Sequence, residues 1–361
     1  MKICKNNKLI RGILNSSEKP KITALITVYN SQKYIFTAIK SIQNQKFSDI
    51  EILIIDDGST DDSLTIIKNL QKEDKRIKII ENKKNRGALY SKSIGILKSS
   101  GKYTMILDSD DLFANENIFD ICFNEAKQKD IDIIEFSGFK LNNEYFRLNK
   151  IPKIPFYLRF KHHNEYVQQP DLSLFLYKRL GKNNYQLIDG FLWGKCIKSA
   201  IFKMSVKMVG SDIYFKKINY GDDRIINFIL FKLARTFKYI NEYGIIYRYN
   251  KKSITHRKIN INNCHDELVN IMSIYNYTKN TREIEVAAFE IVHRWNNILL
   301  KGLNLNNSQN LLFLINELLL NSYIRMQTKA KLISMLNKLT KSKYKKYLNI
   351  HHNGSIYQFR K

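Results

Sequence analysis

A repeated order of short apolar run, turn and helical stretch over residues 21–139 most limits the fold of this chain. That alternation is typical of an α/β domain with a mostly parallel sheet. The candidate strands are nearly continuous in apolar residues, as strands covered on both faces should be. They span residues 22–29, 50–55, 77–80, 103–107 and 131–136. We therefore expect a mostly parallel sheet flanked by helices.

Apolar residues at helical spacing predict three helices between these strands. The first follows a start signal at Asn30 and Ser31, the second opens at Asp61, and the third covers residues 89–97 and stops at Gly101. Residues 144–187 lack a regular pattern and are interpreted as an irregular insertion. After residue 258 the pattern becomes mainly helical, with apolar residues at helical spacing over residues 284–300, 311–320 and 331–348.

The length of 361 residues permits one large domain or two modest ones, each with an adequate core. We expect an N-terminal extension (1–20), an α/β domain (21–258) and a basic helical C-terminal region (259–361). The α/β domain divides into halves at residues 21–112 and 113–258. The four cysteines are widely separated and form no C-x-x-C pair, which favours reduced thiols in a cytoplasmic protein over a zinc or redox site.

A net charge of +27 implies an anionic partner such as nucleic acid, anionic lipid or a phosphorylated substrate. The basic excess lies at one end, because residues 321–361 contain no Asp or Glu. A basic amphipathic helix there suits either an anionic membrane surface or a bundle with a solvated lysine face. No apolar run approaches the ~18 residues of a spanning helix, so membrane contact is expected to be peripheral, on the cytoplasmic face.

Four polar segments stand out, and each begins where an apolar run ends. They are Thr27-Val28-Tyr29-Asn30, Asp56-Asp57-Gly58-Ser59-Thr60-Asp61, Asp108-Ser109-Asp110-Asp111 and Gly221-Asp222-Asp223-Arg224. Ligands of open α/β sheets bind at the carboxyl ends of the strands, so agreement on one sheet edge points to a binding site.

The residue types in these segments suggest chemistry, and each also has a structural alternative. An aromatic ring at Tyr29 could lie flat against a base, and a carboxylate at Asp56 or Asp57 could accept from an imide or a ribose hydroxyl. The carboxylates of the third segment repel one another unless a cation offsets the cost, and hard oxygens suit Mg²⁺ or Mn²⁺ on a diphosphate. The alternative in each case is a turn that caps the following helix.

Four stretches in this order and spacing resemble the family 2 nucleotide-sugar glycosyltransferases. They are ITVYNSQKYI, EILIIDDGSTDDS, NRGALYSKSIG and YTMILDSDD. The resemblance implies the Rossmann-like GT-A fold, with residues 21–112 as the nucleotide-sugar half and residues 113–258 as the acceptor half. It also implies inverting transfer of a sugar from a nucleotide diphosphate, with UDP favoured, to a hydroxyl of a glycan or lipid-linked glycan in polysaccharide or lipooligosaccharide synthesis.

The resemblance also implies roles for individual residues on the donor side. Residues of the first two segments would hold and read the base, and Asn85-Arg86-Gly87 with Lys92 would lie near the nucleotide. Asp108 and Asp110 form the D-x-D signature. Asp110 and Asp111 would contact ribose and the metal, Mn²⁺ or Mg²⁺, with the division between them open, and His256 is a candidate further metal ligand. The donor-side residues implied are Thr27, Val28, Tyr29, Asp56, Asp57, Arg86, Gly87, Lys92, Asp108, Ser109 and Asp110.

On the acceptor side, Asp222 and Asp223 take the place of the family's usual Glu-Asp pair. Asp223 is the favoured catalytic base and Asp222 its competitor, while Trp193 and Lys195 belong to an acceptor-side segment.

Two other classes of protein remain open. A nucleic-acid-binding protein would explain the charge, but acidic strand ends would repel phosphates, so no nucleic-acid partner is expected. An inactive family member acting as a scaffold is the other.

Overall fold

The computed structural model describes residues 19–141 and 191–248, together with shorter stretches. These are residues 155–156, 166–168, 177–180, 184–187, 250, 253, 260–281, 284–294, 305–322, 324, 326–341, 350–351 and 358–359. Most of the predicted irregular insertion, residues 144–187, therefore lies outside the described residues.

The first half of the chain alternates strand and helix as the apolar pattern predicts. Its elements are β1 (Ile22–Val28), α1 (Ile35–Gln43), β2 (Ile50–Asp56), α2 (Ser63–Glu73), β3 (Ile77–Glu81), α3 (Ala88–Lys98), β4 (Tyr103–Asp108), β5 (Leu112–Phe113), α4 (Ile118–Lys129) and β6 (Ile133–Leu141). The fifth predicted strand begins two residues later than expected, at Ile133, and continues to Leu141.

Helix α1 also begins later than its start signal indicates. Asn30 adopts a left-handed backbone, with φ 51°, and its side-chain oxygen accepts from the Thr60 amide at 2.8 Å. The Ser31 amide donates to the Ser63 hydroxyl at 2.7 Å. These two residues therefore bind the loop after β2, and the helix starts only at Ile35.

The second half supplies further strands and most of the long helices. These elements are β7 (Pro155–Phe156), β8 (Tyr166–Gln168), β9 (Tyr177–Leu180), β10 (Asn184–Leu187), β11 (Lys195–Lys198), α5 (Ser199–Val209), α6 (Ser211–Tyr214), α7 (Asp222–Leu233), β12 (Thr236–Arg248), α8 (Ile261–Thr278), α9 (Ile284–Arg294), α10 (Leu305–Leu320), α11 (Met326–Lys341), β13 (Ile350–His351) and β14 (Gln358–Phe359). The region after residue 258 is thus mainly helical where it is described.

The main sheet has the strand order β3-β2-β1-β4-β11-β6-β12-β5. The neighbours from β3 to β4 pair in parallel, as do β6 and β12. The short strand β11 enters between β4 and β6 and is antiparallel to both. The prediction of a mostly parallel sheet flanked by helices is therefore confirmed, with an antiparallel strand near the middle of the sheet.

One continuous apolar core joins the sheet to the C-terminal helices. It contains Leu25 of β1 and Ile55 of β2, the buried face of α7, and Leu332 and Leu336 of α11. A second apolar cluster fills the other side of the sheet beneath α1 and α4. The first core contains residues from both sides of position 258. The domain boundary expected there therefore remains a prediction. In the described part of the chain, no helix is both long and apolar enough to cross a membrane.

Candidate active site

The carboxyl ends of β1, β2 and β4 meet at one edge of the sheet. In the parallel register Val28 lies beside Asp56, and Thr27 lies beside Asp108. Tyr29 follows with 47% of its surface exposed, while Val28 is buried. The Ser109 hydroxyl lies 2.7 Å from that of Ser31, which ties the turn after β4 to the turn after β1. The first three predicted segments thus lie together, as the strand ends require.

Asp57 holds the loop before α3 through its carboxylate. One oxygen accepts from the Arg86 amide and from the Asn82 side chain, both at 2.9 Å, and the other accepts from the Gly87 amide at 2.9 Å. Its neighbour Asp56 accepts from the Ser59 amide at 3.1 Å. The second oxygen of Asp56 is buried with no hydrogen-bond partner among the described residues. Reading of a base by either acid remains a prediction.

Arg86 lies against a pair of neighbouring aromatic rings near this edge, whose centres are 5.6 Å apart. Its guanidinium lies 4.8 Å from the centre of the Tyr90 ring and 5.8 Å from that of Phe215. Phe215 is half exposed. Such cation–π contacts keep the side chain extended beside Gly87 while leaving part of the aromatic surface open to solvent.

Lys92 lies at the centre of the site and contacts both the acidic turn after β4 and the acidic pair at the start of α7. Its ammonium nitrogen is 2.6 Å from Asp223, 2.9 Å from Asp222 and 3.6 Å from Asp108. The amine is nearly buried on α3, the two aspartates begin α7, and Asp108 ends β4. A contact near the nucleotide was expected for Lys92, and the structure adds its pairing with both candidate bases.

The cluster perturbs the protonation of its members because water is largely excluded. Burial alone would lower the pKa of Lys92, but the three carboxylates outweigh it and hold that pKa well above its usual value. Burial raises the pKa of Asp222 to about 7, with Lys92 opposing the shift and Asp223 adding to it. Burial likewise raises the pKa of Asp108, again against the effect of Lys92. Asp222 therefore titrates near neutrality.

Arg248, at the end of β12, holds the acidic turn after β4. Its amide donates to an oxygen of Asp111 at 2.8 Å, and its guanidinium donates to the Asp110 carbonyl and, at 2.8 Å, to the Thr37 hydroxyl. Asp111 is buried and its pKa is raised well above its usual value by burial and by Asp110 and Asp108. Its other oxygen has no hydrogen-bond partner among the described residues. Asp111 therefore faces the protein.

Asp110 is partly exposed and accepts from the Asn250 side chain at 3.0 Å. Among the residues that the structure describes, no three His, Cys, Asp or Glu side chains are arranged to hold a metal ion. His256, the further candidate ligand, lies outside the described residues. The partly exposed oxygens of Asp108 and Asp110 nevertheless fit Mg²⁺ or Mn²⁺, since such ions are often held by one or two carboxylates and completed by water and substrate phosphates.

The predicted acceptor-side segment reaches the site through its backbone and its aromatic rings. The Leu192 amide donates to Asp223 at 3.2 Å, and Trp193 stacks between Phe191 and Tyr247, with ring centres 4.9 and 6.0 Å away. Lys195 is fully buried, where its amine donates to the Phe191 carbonyl at 2.8 Å and lies 3.3 Å from Glu135. Lys195 thus holds the Phe191 backbone in place from the buried side of this segment.

Several residues that organise the site were not singled out from the sequence. They are Arg248, which holds the turn after β4, Asn82, which donates to Asp57, and Asn250, which donates to Asp110. Their roles depend on hydrogen bonds to segments far away in the chain, for which the sequence carries no periodic signal. The one available hint was an arginine directly after the short apolar run Ile245-Ile246-Tyr247.

Removing the amine of Lys92 should destabilise the fold in a pH-dependent way. Lys92→Met leaves three carboxylates without their cation, which we expect to cost about 3–5 kcal/mol of unfolding free energy at pH 8. Without the cation these acids bind protons more tightly folded than unfolded, so the loss grows as pH rises through the raised pKa values and shrinks toward pH 5. Denaturant unfolding at both pH values measures it.

Lys92→Arg is the matched control because it keeps the positive charge, and it should lose much less stability at pH 8. An equal loss for Lys92→Met at pH 5 and pH 8 would show that packing, and not charge, accounts for the effect.

Comparison with known proteins bears on the family and the fold of this chain. Residues 23–195 match the model of the family described as glycosyl transferase family 2. An uncharacterized glycosyltransferase of Haemophilus influenzae is 41% identical over 99 residues, which are 27% of this chain and 40% of that protein. The GalNAc(5)-diNAcBac-PP-undecaprenol beta-1,3-glucosyltransferase of Campylobacter jejuni is 33% identical over 196 residues, 51% of this chain and 62% of that protein.

This chain therefore spans less than two thirds of either relative. Among solved structures, S. aureus TarS 1-349 in complex with UDP-GlcNAc has a TM-score of 0.63 at 16% identity, over 88% of this chain and 86% of that one. At this identity the likeness concerns the fold, and it confirms the expected GT-A architecture. Residues 23–195 therefore form a region of the glycosyl transferase family 2 type, and the likeness of fold extends over 88% of the chain.

Proposed function

We propose that this chain is an enzyme that transfers a sugar, with inversion, from a nucleoside diphosphate donor to a hydroxyl of a glycan or lipid-linked glycan. The observation that carries the proposal is the Lys92 cluster. It joins Asp108 of the D-x-D signature to the Asp222–Asp223 pair within 3.6 Å of one nitrogen. A donor held at the strand edge would therefore lie beside two carboxylates able to accept a proton.

A UDP-sugar is the favoured donor. The structural relative TarS was solved with UDP-GlcNAc, which supports a UDP-sugar here although not a particular sugar. In this chain the exposed ring of Tyr29 would stack on the base. The buried oxygen of Asp56, which has no hydrogen-bond partner among the described residues, is an acceptor that an imide or hydroxyl donor would satisfy after a small local shift.

A divalent cation, Mn²⁺ or Mg²⁺, fits the donor side. Asp110 would be its main protein ligand, with Asp108 adjacent, while Asp111 would hold the turn through Arg248. When bound, the ion would neutralise charge on the departing diphosphate. A contribution from His256 remains part of this proposal.

The transfer itself would be a single displacement at the anomeric carbon. The acceptor oxygen forms the new bond to that carbon as the bond to the diphosphate oxygen breaks, and the nucleoside diphosphate leaves with the bonding electrons. Asp223 takes the acceptor proton. With one base and no enzyme nucleophile, attack comes from the face opposite the leaving group, so the anomeric configuration inverts.

Asp223 is the favoured base, and two donors surround it. Lys92 and the Leu192 amide contact its two oxygens, at 2.6 and 3.2 Å, and stabilise the ionised form that a base requires. Asp222 is the competitor, because its pKa of about 7 is well matched to proton transfer at neutral pH.

The acceptor would lie against the aromatic rings beside these acids. Phe191 is 40% exposed and is supported by the buried ring of Trp193, so the ring of Phe191 offers a flat apolar surface to a sugar ring. The Campylobacter relative acts on an undecaprenol-linked glycan, which supports a lipid-linked acceptor in surface polysaccharide or lipooligosaccharide synthesis.

A lipid-linked acceptor would bring the chain to the cytoplasmic face of a membrane, and α11 is suited to that contact. Met326 and Ile333 are 79% and 47% exposed on this helix, and Lys331 is exposed between them. Apolar side chains flanked by lysine are expected to bind anionic lipid surfaces.

Removing this apolar surface tests the membrane contact. The double variant Met326→Ser/Ile333→Ser should lose flotation with vesicles that contain phosphatidylglycerol, whereas Phe36→Ser, at an exposed position on α1, should not. If the wild type does not bind such vesicles, α11 is only a packing helix.

Calorimetry with UDP, GDP, CMP and dTDP, in Mn²⁺ and again in EDTA, tests the donor class. We expect UDP to bind, and to bind more weakly in EDTA. Product release from a panel of UDP-sugars, UDP-GlcNAc included, then identifies the sugar. Binding of none of the nucleotides in either condition would favour an inactive scaffold.

Asp223→Asn should leave UDP binding intact and lower turnover about 10²-fold or more, because the acceptor proton loses its base. Asp222→Asn is the matched neighbour and should lose less. Full turnover in Asp223→Asn together with a large loss in Asp222→Asn would reverse the assignment.

A further inference from the structure

The loop that precedes the Asp222–Asp223 pair is held by one face of α8, a helix of the C-terminal region. Asp266 accepts from the amides of Asn219 and Tyr220, at 3.0 and 3.1 Å. Asn270, one turn further along the helix, donates to the carbonyls of Tyr220 and Gly221, at 3.3 and 3.0 Å. Two side chains at i and i+4 thus bind both the donors and the acceptors of this loop.

A buried ion pair fixes the same helix to the first turn of α7. The Arg224 guanidinium forms a two-pronged pair with Glu267, which is fully buried, and Glu290 of α9 lies 3.7 Å from it. Arg224 directly follows Asp223 in the chain. Two such parallel bonds set direction as well as distance, so α8 fixes the orientation of the helix start that carries the two acids.

The loop itself has little freedom to move between these contacts. Gly221 has a left-handed backbone with φ +66°, and a Cβ added there would collide with the Arg224 guanidinium. On its other side the loop contacts the start of α3. The Leu89 amide donates to the Ile218 carbonyl at 3.1 Å, and the Ala88 amide donates to the Asn219 side chain at 3.2 Å.

The loop therefore lies between two helices that are far apart in the chain. One is the start of α3, which follows Arg86 and Gly87 and carries Lys92. The other is α8, which lies beyond the matched family region of residues 23–195. The position of Asp222 and Asp223 relative to Lys92 thus depends on side chains that the family match does not contain.

We propose that Asp266, Glu267 and Asn270 of α8 are positioning residues for the transfer reaction, which set the Asp222–Asp223 pair against Lys92 and the bound donor. This inference rests on the proposed function, since it assigns the acids of that site to the reaction. The face of α8 that carries these three residues then helps to place the reacting groups, in addition to packing against the rest of the fold.

Asn270→Ala is the informative variant, because it removes both contacts to the loop carbonyls and leaves no buried charge. We expect at least a tenfold fall in kcat, measured as UDP release from the UDP-sugar that gives the wild type its highest rate. The KM for that donor and the affinity for UDP in calorimetry should stay within about twofold, because a small misplacement of a catalytic group lowers turnover without removing donor contacts.

Tyr275→Phe is the matched control on the same helix. It removes the bond from the Tyr275 hydroxyl to Glu317 of α10, 2.7 Å long, which lies further along α8 than the loop contacts. It should leave kcat unchanged even where it lowers the melting temperature. A purely structural role of α8 would instead make the two variants alike in kcat at matched distance below their melting temperatures, and that result would overturn the proposal.

Asp266 supplies a second pair of variants if Asn270→Ala does not fold. Asp266→Ala should lower kcat, whereas Asp266→Asn should restore it, since the amide oxygen can still accept from Asn219 and Tyr220. Equal kcat in both variants and the wild type would refute the positioning role. A wild type without UDP-sugar turnover would refute the proposed function instead, so the two failures are distinguishable.

Discussion

One buried ammonium group among three carboxylates is the interaction on which the site depends. Lys92 holds Asp108, Asp222 and Asp223 together, although they come from β4 and from the start of α7. Its helix can reach them only by lying close to the sheet. Gly95 permits this approach, because a Cβ there would collide with Leu25 of β1 and press on Ile55 of β2. The close packing of α3 on the sheet is therefore also what allows Lys92 to balance the charge of the carboxylates.

The cluster carries more negative than positive charge, and its burial makes that imbalance expensive. Uptake of a proton by Asp222, whose pKa is about 7, relieves it near neutral pH. Under the proposed function a donor diphosphate would add further negative charge at the same edge. A divalent cation on the D-x-D side would then offset charge that Lys92 alone does not balance.

The fold of the first half could be predicted because burial on both faces leaves a direct mark on the sequence. Strands β1, β2 and β4 are apolar almost throughout, and the loops that follow them are polar. Strands β11 and β12 carry a weaker mark, since their places are set by pairing with strands distant in the chain. The acidic strand ends could be found for the same reason as the strands, by the abrupt change from apolar to charged residues.

The connections within the site could not be predicted in this way. Lys92 and Asp223 are separated by 131 positions in the chain. The carboxylate oxygens of Asp57 accept hydrogen bonds from the backbone amides of Arg86 and Gly87. A hydrogen bond between a side chain and a distant backbone group needs only one residue of a suitable type, so no regular spacing in the sequence predicts it. The resemblance implied a place near the nucleotide for Asp57, Arg86 and Lys92 and a catalytic role for Asp223, but it did not predict the contacts among them.

The antiparallel direction of β11 has a consequence for how this scaffold can change. Strand β11 pairs antiparallel with β4, and just before it Trp193 forms an isolated parallel bridge with Ile106, two residues before Asp108. Main-chain pairing therefore holds the segment of Trp193 against the strand that ends at Asp108. The spacing between them is then set by main-chain hydrogen bonds, at about 4.8 Å between neighbouring strands. It does not depend on which side chains the strands carry. Under the proposed function, the surrounding loops could therefore change to fit new acceptors while the distance between Trp193 and the end of β4 stayed constant.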